Sequence, residues 1–484
     1  MATRMIVVFA TGILVMGAVV LAMTPQAGQG PGAAITFHRD VLPILQKNCQ
    51  VCHRPGQIGP MALLSYKDAR PWAKAIKEAV VSKKMPPWFA DPRYGHFSND
   101  RSLERTEIDT LAAWTDSGAP EGNPKDAPAP VRWPEGGWTI QPDAVVELPA
   151  YPVPAREVKE WETIALPAPF KEDTWITSAE TMPGEAAVIH HICYHFEKHR
   201  PDTVYNRYEW MEVPRDEGGV SKRPGGSLVM AEGTILTREV GSSEVKSRKG
   251  RLSIRGSNDF CYLPGLTYED YRPANAGFLV PAGSDIIVNL HYTTNGLAVL
   301  DRTKFGFTVA KAAPQKKFVP QGSGEGGGDA PVPANDAVAA ALVRHTAGIS
   351  QLAIPPYEGN YLAPPADITF HRDVELVWFR PHAHVRGKSV QFKLIYPDGR
   401  EEIVLNVPRY DFNWQLTYRT ALKIPKGARM HVEFRYDNSV NNKFNPDPGK
   451  WVYYGDQSWE EMGSPNMGFL MDRNADEKGF MSRR

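Results

Sequence analysis

The chain has 484 residues, 42% of them apolar and 23% charged, and its 55 Lys+Arg balance 55 Asp+Glu. That length suits about three domains of ~150 residues, and the composition excludes both a disordered chain and a polytopic membrane protein. The balanced charge leaves no electrostatic footprint for nucleic acid, and four cysteines are too few for a disulfide scaffold.

Arg4 precedes an unbroken apolar run from Met5 to Ala22, and Thr24 to Gly32 is small and turn-prone. This is the layout of a secretory signal, with Val20 and Ala22 as small residues before a cut. The run is also just long enough to span a bilayer. Residues 1–24 therefore read as a signal peptide or an N-terminal anchor. Either one places the remainder in the periplasm or outside the cell, in an oxidising compartment. Contact with a membrane is expected only through that segment.

Residues 33–120 are expected to form a small helical domain. Val41, Ile44 and Leu45 share a helical face in His38 to Lys47, where Pro43 is tolerable only in the first turn. Ala69, Trp72, Ile76 and Val80 recur at helical spacing, with Pro71 near the start and an end near Lys83. Thr106 to Asp109 resembles a capping arrangement, Ile108, Leu111 and Trp114 form a stripe, and Gly118 is a plausible stop.

Cys49-Gln50-Val51-Cys52-His53 is the attachment pattern of a c-type haem. Two thiols three residues apart form thioethers to the two vinyl groups, and the adjacent His supplies one axial ligand. A redox dithiol would need a βαβ context, and half a zinc site would need a second Cys or Cys/His pair nearby. For the sixth ligand, Met85 lies in Lys84-Met85-Pro86-Pro87-Trp88, a loop where core filler is less needed. Met61 is its competitor, and His96 is a bis-His alternative. A His/Met haem has no open position, which makes this domain an all-α cytochrome c electron carrier.

Residues 121–137 are rich in Pro, Gly and Asp and read as a linker. Beyond them come short alternating runs broken by turn signals. Ile286, Val288, Leu290 and Tyr292 share one face of a strand, and Ile287, Asn289, His291 and Thr293 the other. Ser389 to Tyr396 and Glu402 to Val407 flank Pro397-Asp398-Gly399 as a hairpin. This spacing suits β-sandwiches. The expected units are 138–312 and 348–484, separated by a Gly-rich linker at 313–347.

The β region holds a second constellation. His190 and His191 are adjacent, His291 lies on a polar strand face, and His382-Ala383-His384 puts two imidazoles on one face if extended. Arg380 and Arg386 share that face, and Met462 offers a thioether. Three imidazoles suit copper or zinc; two imidazoles with a thioether suit copper. No His-Glu-x-x-His occurs, so a zinc-protease reading fails. Taken singly, a strand His is more often hydrogen-bonded core or surface, and joint ligation by His190 and His191 needs a local bend.

Four stretches carry a resemblance. They are Val188-Ile189-His190-His191, then Val280 to Ser284 leading into Asn289-Leu290-His291-Tyr292-Thr293, then Arg380-Pro381-His382-Ala383-His384-Val385-Arg386-Gly387-Lys388, and last Gly455 to Met462. In this order they resemble the type II copper, ascorbate-dependent monooxygenases, which include peptidylglycine α-hydroxylating and dopamine β-monooxygenases. The resemblance implies two jelly-roll-like β-sandwich domains, each with one copper, facing across a solvent cleft. It implies an electron-transfer copper on His190, His191 and His291 and an oxygen-binding copper on His382, His384 and Met462. It places Arg380 where the peptide enzyme holds a substrate carboxylate. The fused haem domain departs from the animal enzymes and is similar to bacterial secreted proteins that join a cytochrome c domain to this copper fold. The implied activity is hydroxylation of an unidentified organic substrate by O₂. Electrons would come from a periplasmic donor, with an ascorbate-like reductant as one candidate, and pass from the haem to the His190/His191/His291 copper. The alternatives are a non-catalytic electron-transfer or copper-binding protein, an oxidase, and a binding module. Cys193 and Cys261 are the remaining cysteines, and a disulfide between them is expected, with Cys193 as a copper ligand the alternative.

Overall fold

The computed structural model describes residues 34–156, 158–201, 203, 205–210, 234–238, 245–249, 259–321, 352–453 and 458–483. The signal-or-anchor segment and most of the expected 313–347 linker lie outside these residues. Among the described residues, no helix is long and apolar enough to cross a membrane. Strands far outnumber helices, and the helices gather near the N-terminus.

The helical part begins with a π-turn at Phe37–Val41 that continues into Leu42–Asn48, with Pro43 in the first turn of the latter. Two further helices, Tyr66–Ala69 and Ala73–Val81, are joined by the 3₁₀ turn Arg70–Trp72, which contains Pro71. The fourth, Arg105–Asp116, starts earlier than the capping arrangement expected at Thr106. Glu104 is extended there, and its backbone N–H donates to the Glu107 carboxylate at 2.9 Å, so this pair closes the first turn instead. Gly118, at φ +90°, follows the helix end as expected. Phe37, Leu45, Leu111 and Trp114 form the core of this part. The Trp114 indole N–H donates to Pro120 O, and Phe37 and His38 bond the backbone at Pro120 and Glu121. The start of the expected linker is thereby tied back to the helices.

A long sheet runs through the rest of the molecule. Its strand order is Ala144–Glu147, Lys304–Val309, Thr174–Met182, Ala276–Val280, Lys316–Gln321, Gly463–Asp472, Val374–Ala383 and Tyr418–Ile424, with Tyr268–Asp270 also paired to Thr174–Met182. A five-stranded sheet accompanies its first half, in the order Tyr208–Trp210, Val158–Pro167, Ser284–Thr293, Ile189–Lys198 and Phe260–Tyr262. A six-stranded sheet, which includes Gly387–Ile395, Glu401–Val407 and Arg429–Tyr436, accompanies the second half. One hydrophobic core combines Ile192, Tyr194, Ile286 and Val288 of the five-stranded sheet with Ile176, Phe305 and Phe307 of the long one. The other combines Phe392, Leu394, Val432 and Phe434 with Leu376, Phe379 and Phe469. Apolar faces of paired sheets closing on each other in this way are consistent with β-sandwich domains.

The boundary expected at 313 falls immediately before a strand. Lys316–Gln321 pairs in parallel with Ala276–Val280 and antiparallel with Gly463–Asp472, joining the two halves. Alternation explains the outcome. Phe318 enters the first core, and its neighbour Val319 points the other way into the second. Replacing Phe318 by Ala is expected to cost about 3–5 kcal/mol. The check is a lowered urea midpoint by near-ultraviolet circular dichroism, and an unchanged midpoint would refute the joining role given to this strand.

Candidate metal centre

The strand Ile189–Lys198 begins directly after the 3₁₀ turn Ala186–Val188. Its pairing with Ser284–Thr293 runs regularly as far as His191 opposite His291, then jumps so that Tyr292 faces Ile189. His190 is the extra residue of this bulge. A bulge turns a side chain out of the two-residue alternation, and this one supplies the bend that joint ligation by adjacent histidines requires. His190, His191 and His291 consequently each offer a ring nitrogen, and these atoms lie within 4.8 Å of one another. Ring centroids are 4.7 Å apart for His190 and His291 and 4.9 Å for His191 and His291.

The second group forms where Val374–Ala383 pairs with Gly463–Asp472. His382 lies opposite Ser464 and Ala383 opposite Gly463, so continuing the register brings His384 to Met462. The His382 and His384 rings are 5.2 Å apart, on one face as the i, i+2 spacing requires. The buried Glu461 carboxylate accepts from the backbone N–H groups of His384, Arg386 (2.9 Å) and Met462 (3.1 Å). It thus fastens the His-x-His segment to the Met462 strand. Tyr410 reinforces this, donating to Ala383 O at 2.9 Å and accepting from Ala383 N–H at 3.1 Å. A Cβ at Gly387 would lie 2.7 Å from the Tyr410 ring, so only glycine allows that approach.

The two groups are neighbours. The Phe412 ring lies 4.8 Å from His190 and 6.1 Å from His384. Phe412 thus touches both groups, with His291 also 6.4 Å from its ring. Burial lowers the pKa of His190 and His382 to about 4. His191 and His291 fall well below 6.5, first through burial and then through repulsion by the other imidazoles, including His382 and His384. Neutral imidazoles carry the lone pair that a metal takes, so the donor set suits copper chemically.

Arg380 is occupied within the protein. Its Nη2 donates to Glu269 Oε1 at 2.7 Å, its Nε to Thr417 Oγ1 at 2.9 Å, and its guanidinium lies over Trp378. Arg386 is likewise buried, donating to Asn438 Oδ1 and Trp459 O. The geometry therefore gives Arg380 an internal carboxylate partner where the resemblance implies a substrate's.

In the Cys49-to-His53 turn both thiols are unpaired, whereas Cys193 and Cys261 form the expected disulfide. Burial pushes the Cys49 thiol up to about 12 and also raises Cys52. Reactive dithiols have lowered values, and burial shifts this pair the other way. His53 Nδ1 is 3.2 Å from Met61 O. Donation to that carbonyl fixes the tautomer and leaves Nε2 for an iron, which fits a haem. Met61 thus engages the ring's other nitrogen through its carbonyl. Met85 follows Ala73–Val81, half-buried, with its N–H on Ala79 O, and His96 is exposed. Cys52 faces the first β half: a Cβ at Gly265 would be 3.5 Å from its Sγ, and Arg101 donates to Gly265 O at 2.9 Å.

Sequence reasoning missed Glu461, Phe412 and Gln415. Glu461 adjoins Met462, but nothing local distinguishes its role from that of Glu460. Phe412 and Gln415 belong to a loop that carries no motif.

Two outcomes follow for the metal-free protein. His190 and His382 titrate near 4 when folded and near 6.5 when unfolded. The unfolded chain then binds more protons between those values, so stability is complete above about pH 6.5 and is lost as pH falls towards 4. Urea midpoints should fall from about pH 7 to about pH 5, and the fall should be smaller in a His190→Asn, His382→Asn variant. Glu461→Ala should strand buried N–H groups at about 1–3 kcal/mol each. An unchanged melting temperature would show that the carboxylate does not hold the segment.

No protein-family model matches the chain, and no curated protein does. Among solved structures, a Paenibacillus xanthan lyase is similar at 10% identity with a TM-score of 0.16, over 73% of this chain and 27% of its own. The chain thus spans about a quarter of that protein's length, and a likeness this slight carries no argument about fold or function.

Proposed function

We propose that the protein is a periplasmic or secreted oxidoreductase that uses O₂ to hydroxylate a C–H bond of an organic substrate. On this reading it is a type II copper monooxygenase with a c-type cytochrome domain at its N-terminus. The observation that carries the proposal is the convergence of five imidazoles, spread from His190 to His384, into two adjacent groups, with Met462 next to the strand paired with His382. The Cys193–Cys261 disulfide is compatible with an oxidising compartment.

His190, His191 and His291 would hold one copper, and His382, His384 and Met462 the other. Cys49 and Cys52 would carry one haem c, with His53 and Met85 as the residues that would hold its iron. Bound there, these groups would supply one-electron transfer and the activation of O₂. The chain's own contribution is positional. The bulge at His190 aims two neighbouring imidazoles together, Glu461 fixes the spacing of His384 and Met462, and burial keeps the rings neutral. Phe412 packs its ring against both groups. Hydroxylation places one oxygen atom on carbon and reduces the other to water, consuming two electrons and two protons. The placement of Cys52 beside the Gly265 turn, which Arg101 bonds at 2.9 Å, supports electron entry through the first β half. Gly265 follows Tyr262, which pairs with Ile192 beside His191.

Metal analysis should return two coppers and one haem per chain, and zinc or an empty protein would defeat the reading. Oxygen uptake with labelled O₂ over a substrate panel should place label in product. Uptake without labelled product would mark an oxidase, and metal binding without uptake a carrier. In stopped flow, a pre-reduced haem should reoxidise quickly in copper-loaded protein with O₂, and slowly in a His382→Ala, Met462→Ala variant. Equal rates would overturn the electron route.

A further inference from the structure

The loop between Glu401–Val407 and Tyr418–Ile424 enters the centre with two side chains, Phe412 and Gln415. Gln415 stands out on three counts. Its Oε1 is 2.8 Å from His382 Nδ1. Its amide nitrogen is buried without a hydrogen-bond partner among the described residues, although the residue is only 7% exposed. Its backbone is at φ +42°, in the left-handed region that a residue with a Cβ rarely occupies.

Each feature has a cost. A buried orphan donor is unfavourable, and a non-glycine residue in the left-handed region persists only when its surroundings hold it there. Here the surroundings do so from several sides. Gln415 N–H reaches back to Asp411 O, Arg380 Nε donates to Thr417 Oγ1, and Asn99 of the N-terminal part donates to Thr417 O at 2.8 Å. What the conformation achieves is the contact with His382. An imidazole whose Nδ1–H donates to an amide oxygen keeps its lone pair on Nε2. A hydrogen bond of this kind fixes both tautomer and ring orientation in metal-binding histidines.

We propose that Gln415 is the positioning residue of the His382/His384/Met462 group, holding His382 by Nδ1 so that Nε2 is the atom presented to metal. This rests on the reading of that group as a copper site. Glutamate at this position would accept the same hydrogen bond, whereas leucine fills similar space and accepts none. The N-terminal part supports the loop through Asn99, so the orientation of His382 depends on that part being docked.

The test uses the full-length haem-loaded protein with copper alone as the probe. Wild type, Gln415→Leu and Gln415→Glu are compared for copper stoichiometry, for affinity by chelator competition, and for the electron paramagnetic resonance signal of each Cu(II). Wild type should bind two coppers with separable signals. Gln415→Leu should keep the first signal and bind the second copper about 10–100-fold more weakly, with altered hyperfine splitting. Gln415→Glu should restore affinity to within a few-fold of wild type. If Gln415→Leu holds the second copper as tightly as wild type with the same signal, or if the Glu variant is as weak as the Leu variant, Gln415 does not position His382. If the Leu variant loses both coppers, the Glu variant decides in the same way. A wild type that never takes a second copper refutes the copper-site reading itself, whatever the variants do.

Discussion

Phe318 and Val319 are consecutive residues that belong to different hydrophobic cores. The strand that carries them is hydrogen-bonded on one side to Ala276–Val280 and on the other to Gly463–Asp472. Because backbone pairing fixes neighbouring strands at about 4.8 Å, the two β halves are joined through one sheet instead of being tethered by a linker. The metal-binding candidates inherit this constraint. His382 sits near the end of a strand in that sheet and Met462 immediately precedes the strand paired with it, and His190, His191 and His291 sit on the smaller sheet packed against its first half. Their proximity follows from shared hydrogen bonding as well as from contact between surfaces.

Within that frame, local irregularities do the aiming. Regular alternation would send His190 and His191 to opposite faces, and the bulge brings them to the same side. Regular alternation already suits His382 and His384, and there the need is to fix a strand end. Glu461, Tyr410 and the Gly387 approach meet it. A buried carboxylate that accepts backbone donors is costly to desolvate, and burial raises Glu461 to about 8. The same burial lowers the imidazoles. One enclosed space therefore shifts the acid and the bases towards their neutral forms, which suits an environment that holds metal on neutral nitrogen donors.

The joining of helical and β parts is equally specific. Trp88 and Phe97 pack on Tyr418, Asp91 N–H bonds Asn406 O, and Arg101 reaches Gly265 in the first β half. The turn with Cys49, Cys52 and His53 is thus presented to the β region, and a segment of that same helical part supports the loop bearing Gln415.

Much of this was legible in the residues alone. Proline positions, the stop at Gly118, the alternating strands and the Cys193–Cys261 pair follow from backbone sterics, period-two patterning and compartment chemistry, all of which act over a few residues or through composition. The haem attachment pattern is also local, since two thiols and an imidazole need only adjacent positions. The grouping of the histidines was inferred from motif order and not from any spacing the chain itself displays. What only the tertiary structure decided are the features that depend on partners far along the chain: the strand inside the expected 313–347 linker, the commitment of Arg380 to Glu269, and the approach of Phe412 and Gln415 to the histidines. A side chain's residue type states which bonds it can make. Which bond it does make is set by the neighbours that folding delivers, and burial then makes leaving that bond unmade too costly.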